Sequence, residues 1–270
     1  MNIIFLINRD IASNYALNLI LPHLKQTKVH LVYSSQVGRT DVRPANRPAA
    51  LAQLQFFEQT LPFELLLPKY QVNYCTDFPR LNRRVNQSLS IASVHYIDQI
   101  NSESALTIIK AIEPDLMVSI RFGAILKSPV IRLSRLGVIN LHSGVLPDYR
   151  GVMATFRAML NGEKEIGTTL HYIQNHQIDC GDIIQIDKIP VEKNRSYLWH
   201  VLKLYESGVL LILDAIATFS KNISVENHLQ PKEGKYFSYP SLQNIIDFER
   251  RGGVLVDPDS YIDWLMKNYC

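Results

Sequence analysis

Three side chains of this 270-residue sequence could carry out a reaction together: Asn140, His142 and Asp179. Asn140 and His142 stand two positions apart in the apolar run 138–142, so in a strand they would project from one face. An amide can donate to an oxygen that gains negative charge, a histidine can move a proton near neutral pH, and an aspartate can orient that histidine. The set predicts transfer of an acyl or formyl group to a nucleophile supplied by a substrate.

The residue types alone leave simpler interpretations open. A histidine near an apolar strand is often a hydrogen-bonded core residue. An aspartate close before a glycine, as Asp179 is before Gly181, often caps a turn. A nucleophilic serine is not indicated, because Ser143 lacks the Gly-x-Ser-x-Gly context that exposes such a serine.

The elements that would position these side chains begin with a short apolar strand at 3–7, a helix at 11–24 and a second strand at 29–33. This βαβ order predicts an α/β protein with a Rossmann-like, open, mostly parallel twisted sheet. A further buried strand at 115–120 leads into the loop 121–126. Ligands of open α/β sheets bind beyond the carboxyl ends of the strands, so this loop is a candidate binding segment.

Hydrophobic periodicity and turn residues place the remaining elements. We expect a helix at 102–112, a strand at 138–142, a helix at 152–161, a hairpin of strands 167–173 and 182–189, a long helix at 197–219, and short helices near 242–250 and 259–267. The polar stretch 38–48, which contains two prolines, predicts a loop, and a helix is expected at 49–60. An apolar stretch at 61–74 would be broken by Pro62 and Pro68, and the polar stretch 82–90 is assigned to no element.

Composition and charge exclude several classes of function. Hydrophobic residues make up 47% and charged residues 20% of the chain, and a formal charge of +3 is too small to indicate nucleic acid. Three separated cysteines indicate neither a disulfide framework nor a metal site. The turn 8–13 has none of the glycines that a dinucleotide site or a P-loop needs. No apolar run approaches the ~20 residues of a membrane span, so we expect a cytoplasmic protein without membrane contact.

Several motifs together resemble the folate-dependent formyltransferase family. They are Asn140-Leu-His142, Leu146-Pro-Asp-Tyr-Arg-Gly151, Gly167-Thr-Thr-Leu-His171 and Ile178-Asp-Cys-Gly-Asp-Ile-Ile184, preceded by a similar segment at 114–126. They cover roughly residues 100 to 190 in the family's order. The resemblance implies a Rossmann-like sheet without dinucleotide, N10-formyltetrahydrofolate as donor, an amine as acceptor and no metal.

The resemblance also implies residue roles. Catalysis would fall to Asn140, His142 and Asp179: the amide and the imidazole would stabilise the oxyanion, and His142, steered by Asp179, would take the proton of the attacking amine. The folate would contact two loops, through Phe122, Gly123, Ala124, Ile125, Leu126, Ile178 and Asp182. The sequence departs from the family after the histidine, where Ser143-Gly144 replaces a Pro-Ser or Gly-Ser pair.

Among acceptors within the family, the resemblance favours a nucleotide-linked amino sugar of cell-surface polysaccharide synthesis. The glycine-free first turn disfavours a ribotide, and the short tail with its low charge disfavours transfer RNA. Substrate contacts are predicted at Asn8, Arg9, Ser143, Tyr149, Arg150 and Tyr236. We divide the chain into a catalytic domain at 1–195 and a small helical and hairpin extension at 196–270 that would support a homodimer or cover the site. The alternatives are an enzyme that formylates methionyl-tRNA or another small amine, and a non-catalytic domain that binds folate or a sugar nucleotide.

Overall fold

The computed structural model describes residues 1–34, 48–70, 74–75, 78–79, 91–231 and 233–270, with the backbone alone at 69–70, 74–75 and 78–79. The loop predicted at 38–48 and the polar stretch at 82–90 lie outside the described residues, apart from Pro48.

Strands and helices alternate through most of the described chain. The strands are β1 Asn2–Asn8, β2 Lys28–Ser34, β3 Tyr74–Cys75, β4 Phe78–Pro79, β5 Ile91–Tyr96, β6 Leu116–Ile120, β7 Val138–His142, β8 Arg150–Gly151, β9 Glu165–Tyr172, β10 Ile183–Pro190 and β11 Tyr236–Phe237. The α-helices are α1 Ile11–Ile20, α2 Ala49–Gln55, α3 Glu103–Ile112, α4 Ser128–Ile131, α5 Ala154–Leu160, α6 Tyr197–Ser220, α7 Leu242–Arg250 and α8 Pro258–Tyr269.

Among the described residues, the main sheet has seven strands in the order β10-β9-β7-β6-β1-β2-β5. The five strands from β7 to β5 are parallel, and β9 and β10 are added antiparallel at one edge as a hairpin. The predicted Rossmann-like, mostly parallel sheet is therefore confirmed. The chain builds outward from β1 to β2 and β5, then returns to β6 on the other side of β1. This reversal opens a crevice at the carboxyl ends of β1 and β6, where such sheets bind ligands.

The core explains why the strand predictions were correct. Residues 3 to 7 of β1 are all fully buried, as expected for a central parallel strand covered on both faces. Helix α3 begins after Ser102, whose hydroxyl accepts from the Ala105 amide at 3.3 Å. Helix α6 packs against α1, and most of its buried apolar side chains belong to the same apolar core as Ile3, Phe5 and Ile7 of β1. The division of the chain at residue 196 stays a prediction.

Two local predictions differ from the structure. Pro62 does not break the apolar stretch after α2. It is buried inside the π-helical segment Phe56–Leu66, where its carbonyl accepts from the Leu67 amide five positions on. The wider π turn accommodates a proline that would disrupt an α-helix. Strand β5 was not predicted, because at the sheet edge its side chains are only half-buried and its apolar signal is weak.

Candidate active site

A cavity of about 320 Å³ opens at the carboxyl ends of β6 and β7. The wall includes all three residues with predicted catalytic roles, Asn140, His142 and Asp179. Asn140 and His142 lie on β7, and Asp179 lies on the loop between β9 and β10. The structure therefore brings together residues that are 37 positions apart in the sequence.

His171 is the cross-strand partner of Asn140 and was missed as a site residue. Its Nδ1 donates to the Tyr172 carbonyl at 2.9 Å, so its Nε2 accepts from the Asn140 Nδ2 at 3.1 Å. This contact orients the Asn140 amide and leaves its second hydrogen for another oxygen. His171 stands in one of the motifs that carry the family resemblance. Its position in that motif could have identified it as a site residue.

His142 is held between a carbonyl and a carboxylate. Its Nε2 donates to the Tyr149 carbonyl at 2.6 Å, and its Nδ1 lies 3.5 Å from the Asp179 Oδ2. The imidazole is buried, with 8% of its side chain exposed. A proton added at Nδ1 would form an imidazolium directly beside a negative charge. The geometry therefore suits His142 to accepting a proton, with Asp179 stabilising the product.

Asp179 faces both histidines and one backbone amide. Its Oδ1 lies 3.5 Å from the His171 Nε2, and its Oδ2 accepts from the Gly151 amide at 2.8 Å. Burial alone would raise the pKa of this carboxyl, but the two imidazoles and the Gly151 amide outweigh it and lower the pKa to about 2. Asp179 is therefore a carboxylate throughout the physiological pH range.

Backbone strain is concentrated around this cavity. Arg121, Met153 and Asp179 all have left-handed φ angles, of 57°, 53° and 52°, and all line the cavity. Non-glycine residues adopt this conformation at a cost that the surrounding structure must offset. In Asp179 it turns the carboxylate back toward β7 and β8.

A buried ion-pair cluster, also missed by sequence reasoning, forms another part of the wall. The Arg121 guanidinium lies 2.9 Å from Asp10 and 2.8 Å from Glu58. Asp10 is fully buried and also caps α1 by accepting from the Ser13 amide at 2.8 Å. Tyr197 of α6 lines the cavity nearby, and burial raises the pKa of its hydroxyl, which stays protonated. No single motif marks this cluster, because its members come from distant segments.

The predicted folate loops also line the cavity. They contribute Phe122, Gly123, Ala124, Ile125 and Leu126 from one segment and Ile178 from the other. Asn101 holds the first loop in place: its amide donates to the Ile125 carbonyl, and its oxygen accepts from the Lys127 amide, both at 2.8 Å. The result is a mostly apolar slot with fixed backbone groups.

The remaining predicted contacts divide into two groups. Ser143 and Tyr236 line the cavity. Five others do not: Asn8, Arg9, Tyr149, Arg150 and Asp182. Each of these five residues contacts another part of the fold or borders a different cavity.

Asn8 is buried, and its amide donates to the Asp10 carboxylate. Arg9 borders a separate small cavity. The Asp182 carboxylate accepts from the Gln174 amide at 2.8 Å, near the end of the β9–β10 loop.

Tyr149 and Arg150 face away from the cavity and contact other parts of the fold. The Tyr149 hydroxyl donates to Glu163 at 2.6 Å, and its ring stacks on Phe237. The buried Arg150 guanidinium donates to the Gln230 side chain and to the Pro231 carbonyl. These contacts tie the 147–151 loop to the tail of the chain.

The departure from the family pattern at Ser143-Gly144 has a steric reason. A Cβ atom at position 144 would lie 2.5 Å from the Ala154 Cβ and 2.7 Å from both the His142 Nε2 and the Tyr149 carbonyl oxygen. These distances are far inside van der Waals contact, so only glycine fits here. A hydroxyl on residue 144 is excluded by the way His142 is held.

Two negative findings apply to the described part of the chain. No group of three or more histidine, cysteine, aspartate or glutamate side chains is arranged to hold a metal ion there. Within the same residues, no helix has the length and apolar character to cross a bilayer.

The site lies in a segment that is similar to a known protein family. Residues 82–199 match the family described as formyl transferase. The matched segment makes up less than half of the 270-residue chain. It contains Asn140, His142, His171 and Asp179, which are the polar groups that converge in the cavity.

The whole-protein comparisons point to two kinds of relative. The methionyl-tRNA formyltransferase of Macrococcus caseolyticus is 34% identical over 157 residues, which cover 52% of this chain and 50% of the relative. A sugar N-formyltransferase structure from Shewanella sp. FDAARGOS_354 aligns with 96% of this chain and 94% of its own, with a TM-score of 0.56 and 17% identity.

The N-formyltransferase from Helicobacter canadensis, in complex with folinic acid and dTDP-3-aminofucose, aligns with 90% of this chain and 71% of its own, with a TM-score of 0.51 and 19% identity. The structural matches show a shared fold. The chain spans about half the length or less of the curated relatives it matches in sequence.

Proposed function

We propose that this protein transfers a formyl group from N10-formyltetrahydrofolate to the amino group of a nucleotide-linked amino sugar. The observation that carries the proposal is the convergence of Asn140, His142 and Asp179 in one cavity beside two loops suited to folate. The same proposal places the protein in the cytoplasm, as a homodimer, in the supply of sugars for cell-surface polysaccharide.

The cavity fits the donor. Its volume of about 320 Å³ lies in the range of small-molecule sites, and the slot between the 122–126 loop and Ile178 offers apolar walls with backbone donors and acceptors. Such walls suit a planar heterocycle. When bound, N10-formyltetrahydrofolate supplies the one-carbon group. Phe122 and Leu126 would hold it by packing, and the backbone groups of the loop would orient it.

The polar residues have separate tasks in the transfer. The Asn140 amide, fixed by His171, donates its second hydrogen to the formyl oxygen, where negative charge develops. His142 would take the proton released by the attacking amine and return it to N10 as the bond between the formyl carbon and N10 breaks, so that tetrahydrofolate leaves with that proton. Asp179 stabilises the resulting imidazolium across 3.5 Å and stays ionised because its pKa is about 2. The nucleophile is the amine of the acceptor, and the cavity wall needs none of its own.

The turn after β1 argues against a ribotide acceptor. A free helix N-terminus at this position could bind a phosphate. Here the first turn of α1 is already capped by the Asp10 carboxylate, which accepts from the Ser13 amide and pairs with Arg121. A phosphate would have to approach a buried negative charge, so this turn is unsuited to binding it.

Different observations support an amino sugar and methionyl-tRNA as the acceptor. An amino sugar is favoured by the similarity in fold over nearly the full chain to a sugar N-formyltransferase, and by the dTDP-3-aminofucose bound in a second related structure. Methionyl-tRNA is the alternative, because the curated relative with 34% identity is named for that substrate. The formal charge of +3 gives little attraction for a long phosphate backbone.

The test is incubation with N10-formyltetrahydrofolate and a panel of nucleotide-linked amino sugars, with mass spectrometry to detect one added formyl group. Methionyl-tRNA and glycinamide ribotide belong in the same panel. We expect a formylated sugar nucleotide. Formylation of the transfer RNA or the ribotide alone would refute an amino sugar as the acceptor. The absence of a formylated product from every amine would refute formyl transfer as the reaction.

The same assay tests the site. We expect His142→Asn to reduce turnover by about 10² to 10⁴-fold, the range for loss of a general base. His23→Asn is the control, because His23 is exposed just beyond the C-terminal end of α1. Equal turnover in the two variants would contradict the role of His142.

A further inference from the structure

The segment between α6 and α7 borders the cavity and contacts both segments that hold Asp179. We define the strap as residues 228–231 and 233–240. Its strand β11 pairs with β8, and the backbone bonds run from the Arg150 amide to the Lys235 carbonyl at 2.9 Å and from the Val152 amide to the Phe237 carbonyl at 2.8 Å. Further back, His228 and Ile183 exchange two backbone bonds of 2.9 Å each. The strap thus joins β8 to the start of β10.

One side chain of the strap closes a ring of contacts around Asp179. The Gln230 Oε1 accepts from the Arg150 guanidinium, with a distance of 2.7 Å to its Nε. The Gln230 Nε2 donates to the Gly181 carbonyl at 3.0 Å. Gly181 is two residues after Asp179, and Arg150 directly precedes Gly151, whose amide donates to the Asp179 carboxylate. A single carboxamide therefore links the two segments that meet at that carboxylate.

We propose that Gln230 is a positioning residue for formyl transfer, acting by holding the Asp179 loop and β8 in register. The proposal rests on the function proposed above for the same cavity. Asp179 has a left-handed backbone, with a φ of 52°, which is uncommon for a non-glycine residue, so contacts from neighbouring segments help to hold it. The Gln230 bridge supplies one of those contacts, and the Gly151 amide supplies another.

The neighbouring glycines leave little room for the two segments to shift. A Cβ at Gly151 would lie 2.2 Å from the Phe237 carbonyl oxygen, and one at Gly181 would lie 1.8 Å from the Tyr172 carbonyl oxygen. Backbone is therefore packed on backbone on both sides of the bridge. A displacement of even 1 Å in such a site can reduce turnover by about 10²-fold.

Two substitutions separate the two halves of the bridge. Gln230→Glu keeps an acceptor for Arg150 but loses the donor to the Gly181 carbonyl. Gln230→Met removes both contacts at similar length. The control is Leu229→Ala, because the adjacent Leu229 side chain is 82% exposed. We expect both Gln230 variants to lose about 10²-fold in kcat on the amino sugar that reacts in the panel, while the KM for that sugar and the Kd for tetrahydrofolate stay unchanged.

A spectroscopic measurement reports the geometry without turnover. Selective ¹⁵N labelling of glycine reduces the amide spectrum to the signals of the 12 glycines, among them Gly151, whose amide donates to Asp179. The titratable groups that face this carboxylate are His142 on β7 and His171 on β9. We expect faster hydrogen exchange at Gly151 in both Gln230 variants and no change in Leu229→Ala.

The outcomes are distinct. Wild-type exchange at Gly151 together with wild-type kcat in the Gln230 variants would overturn the positioning role. So would an equal effect of Leu229→Ala, or a parallel loss of tetrahydrofolate affinity and thermal stability that indicates general loosening. If the wild-type protein formylates no amine, the proposed function fails, and the Gly151 exchange measurement still decides whether Gln230 holds Asp179 in place.

Discussion

Replacing Asp179 by asparagine is the most informative single change, because it removes the charge and keeps the shape. The Gly151 amide can still donate to the carboxamide oxygen of the substituted side chain. The two imidazoles, each 3.5 Å from the carboxylate, lose the negative charge between them. We expect folate binding to survive and kcat to fall by about 10² to 10⁴-fold, as when a proton-transfer pair is disabled.

The effect on stability follows from the pKa. A carboxyl whose pKa is lowered from 3.8 to about 2 on folding favours the charged form in the folded protein by about 2 kcal/mol. Because the folded pKa lies below the unfolded value, this contribution is present above about pH 4 and is lost as the pH falls toward 2. We therefore expect Asp179→Asn to cost about 2 kcal/mol at pH 7 and progressively less in acid.

The assay combines single-turnover formyl transfer, tetrahydrofolate calorimetry and urea denaturation at several pH values. Asp182→Asn is the matched control on the same loop, because its carboxylate contacts Gln174 and does not line the cavity. Turnover of Asp179→Asn within threefold of wild type, with an intact fold, would refute the catalytic reasoning. A stability loss that persists unchanged to pH 3 would refute the electrostatic explanation.

Two further predictions concern residues that hold the side chains of the cavity in place. Gly144→Ser should reduce kcat by at least about 10²-fold, because the Cβ of the substituted residue would lie 2.7 Å from the His142 Nε2 and displace the imidazole. A kinetic assay measures this loss, and circular dichroism checks that the variant is folded. Arg121→Met should cost about 3 kcal/mol in urea denaturation, because Asp10 is left buried without its cation; Arg135→Met, at an exposed ion pair, should cost under about 1 kcal/mol.

Most of the fold could be predicted from local pattern. The residues of β1, α1 and β2 are apolar at the periods of strand and helix, and the predicted bounds of both strands match within one residue. The helix predicted at 11–24 ends as an α-helix at Ile20, and the 3₁₀ turn Leu21–His23 follows it. The long helix α6 and the hairpin of β9 and β10 were found in the same way. Edge strand β5 and the π-helical turn through Pro62 were not predicted, because half-buried edge strands and irregular turns leave weak periodic signals in the sequence.

The candidate site divides along the same line. The sequence by itself predicted that Asn140, His142 and Asp179 act together, because a strand places alternate residues on one face and a motif similar to the family's marks the loop. The structure places all three on the wall of one cavity, and their catalytic roles stay a prediction. Only the tertiary structure decided that His171 orients Asn140, that Arg121 joins Asp10 to Glu58, and that Gln230 bridges two loops. Periodicity reports which face of an element is buried. It does not report strand order or register, and those two quantities decide which distant polar groups meet.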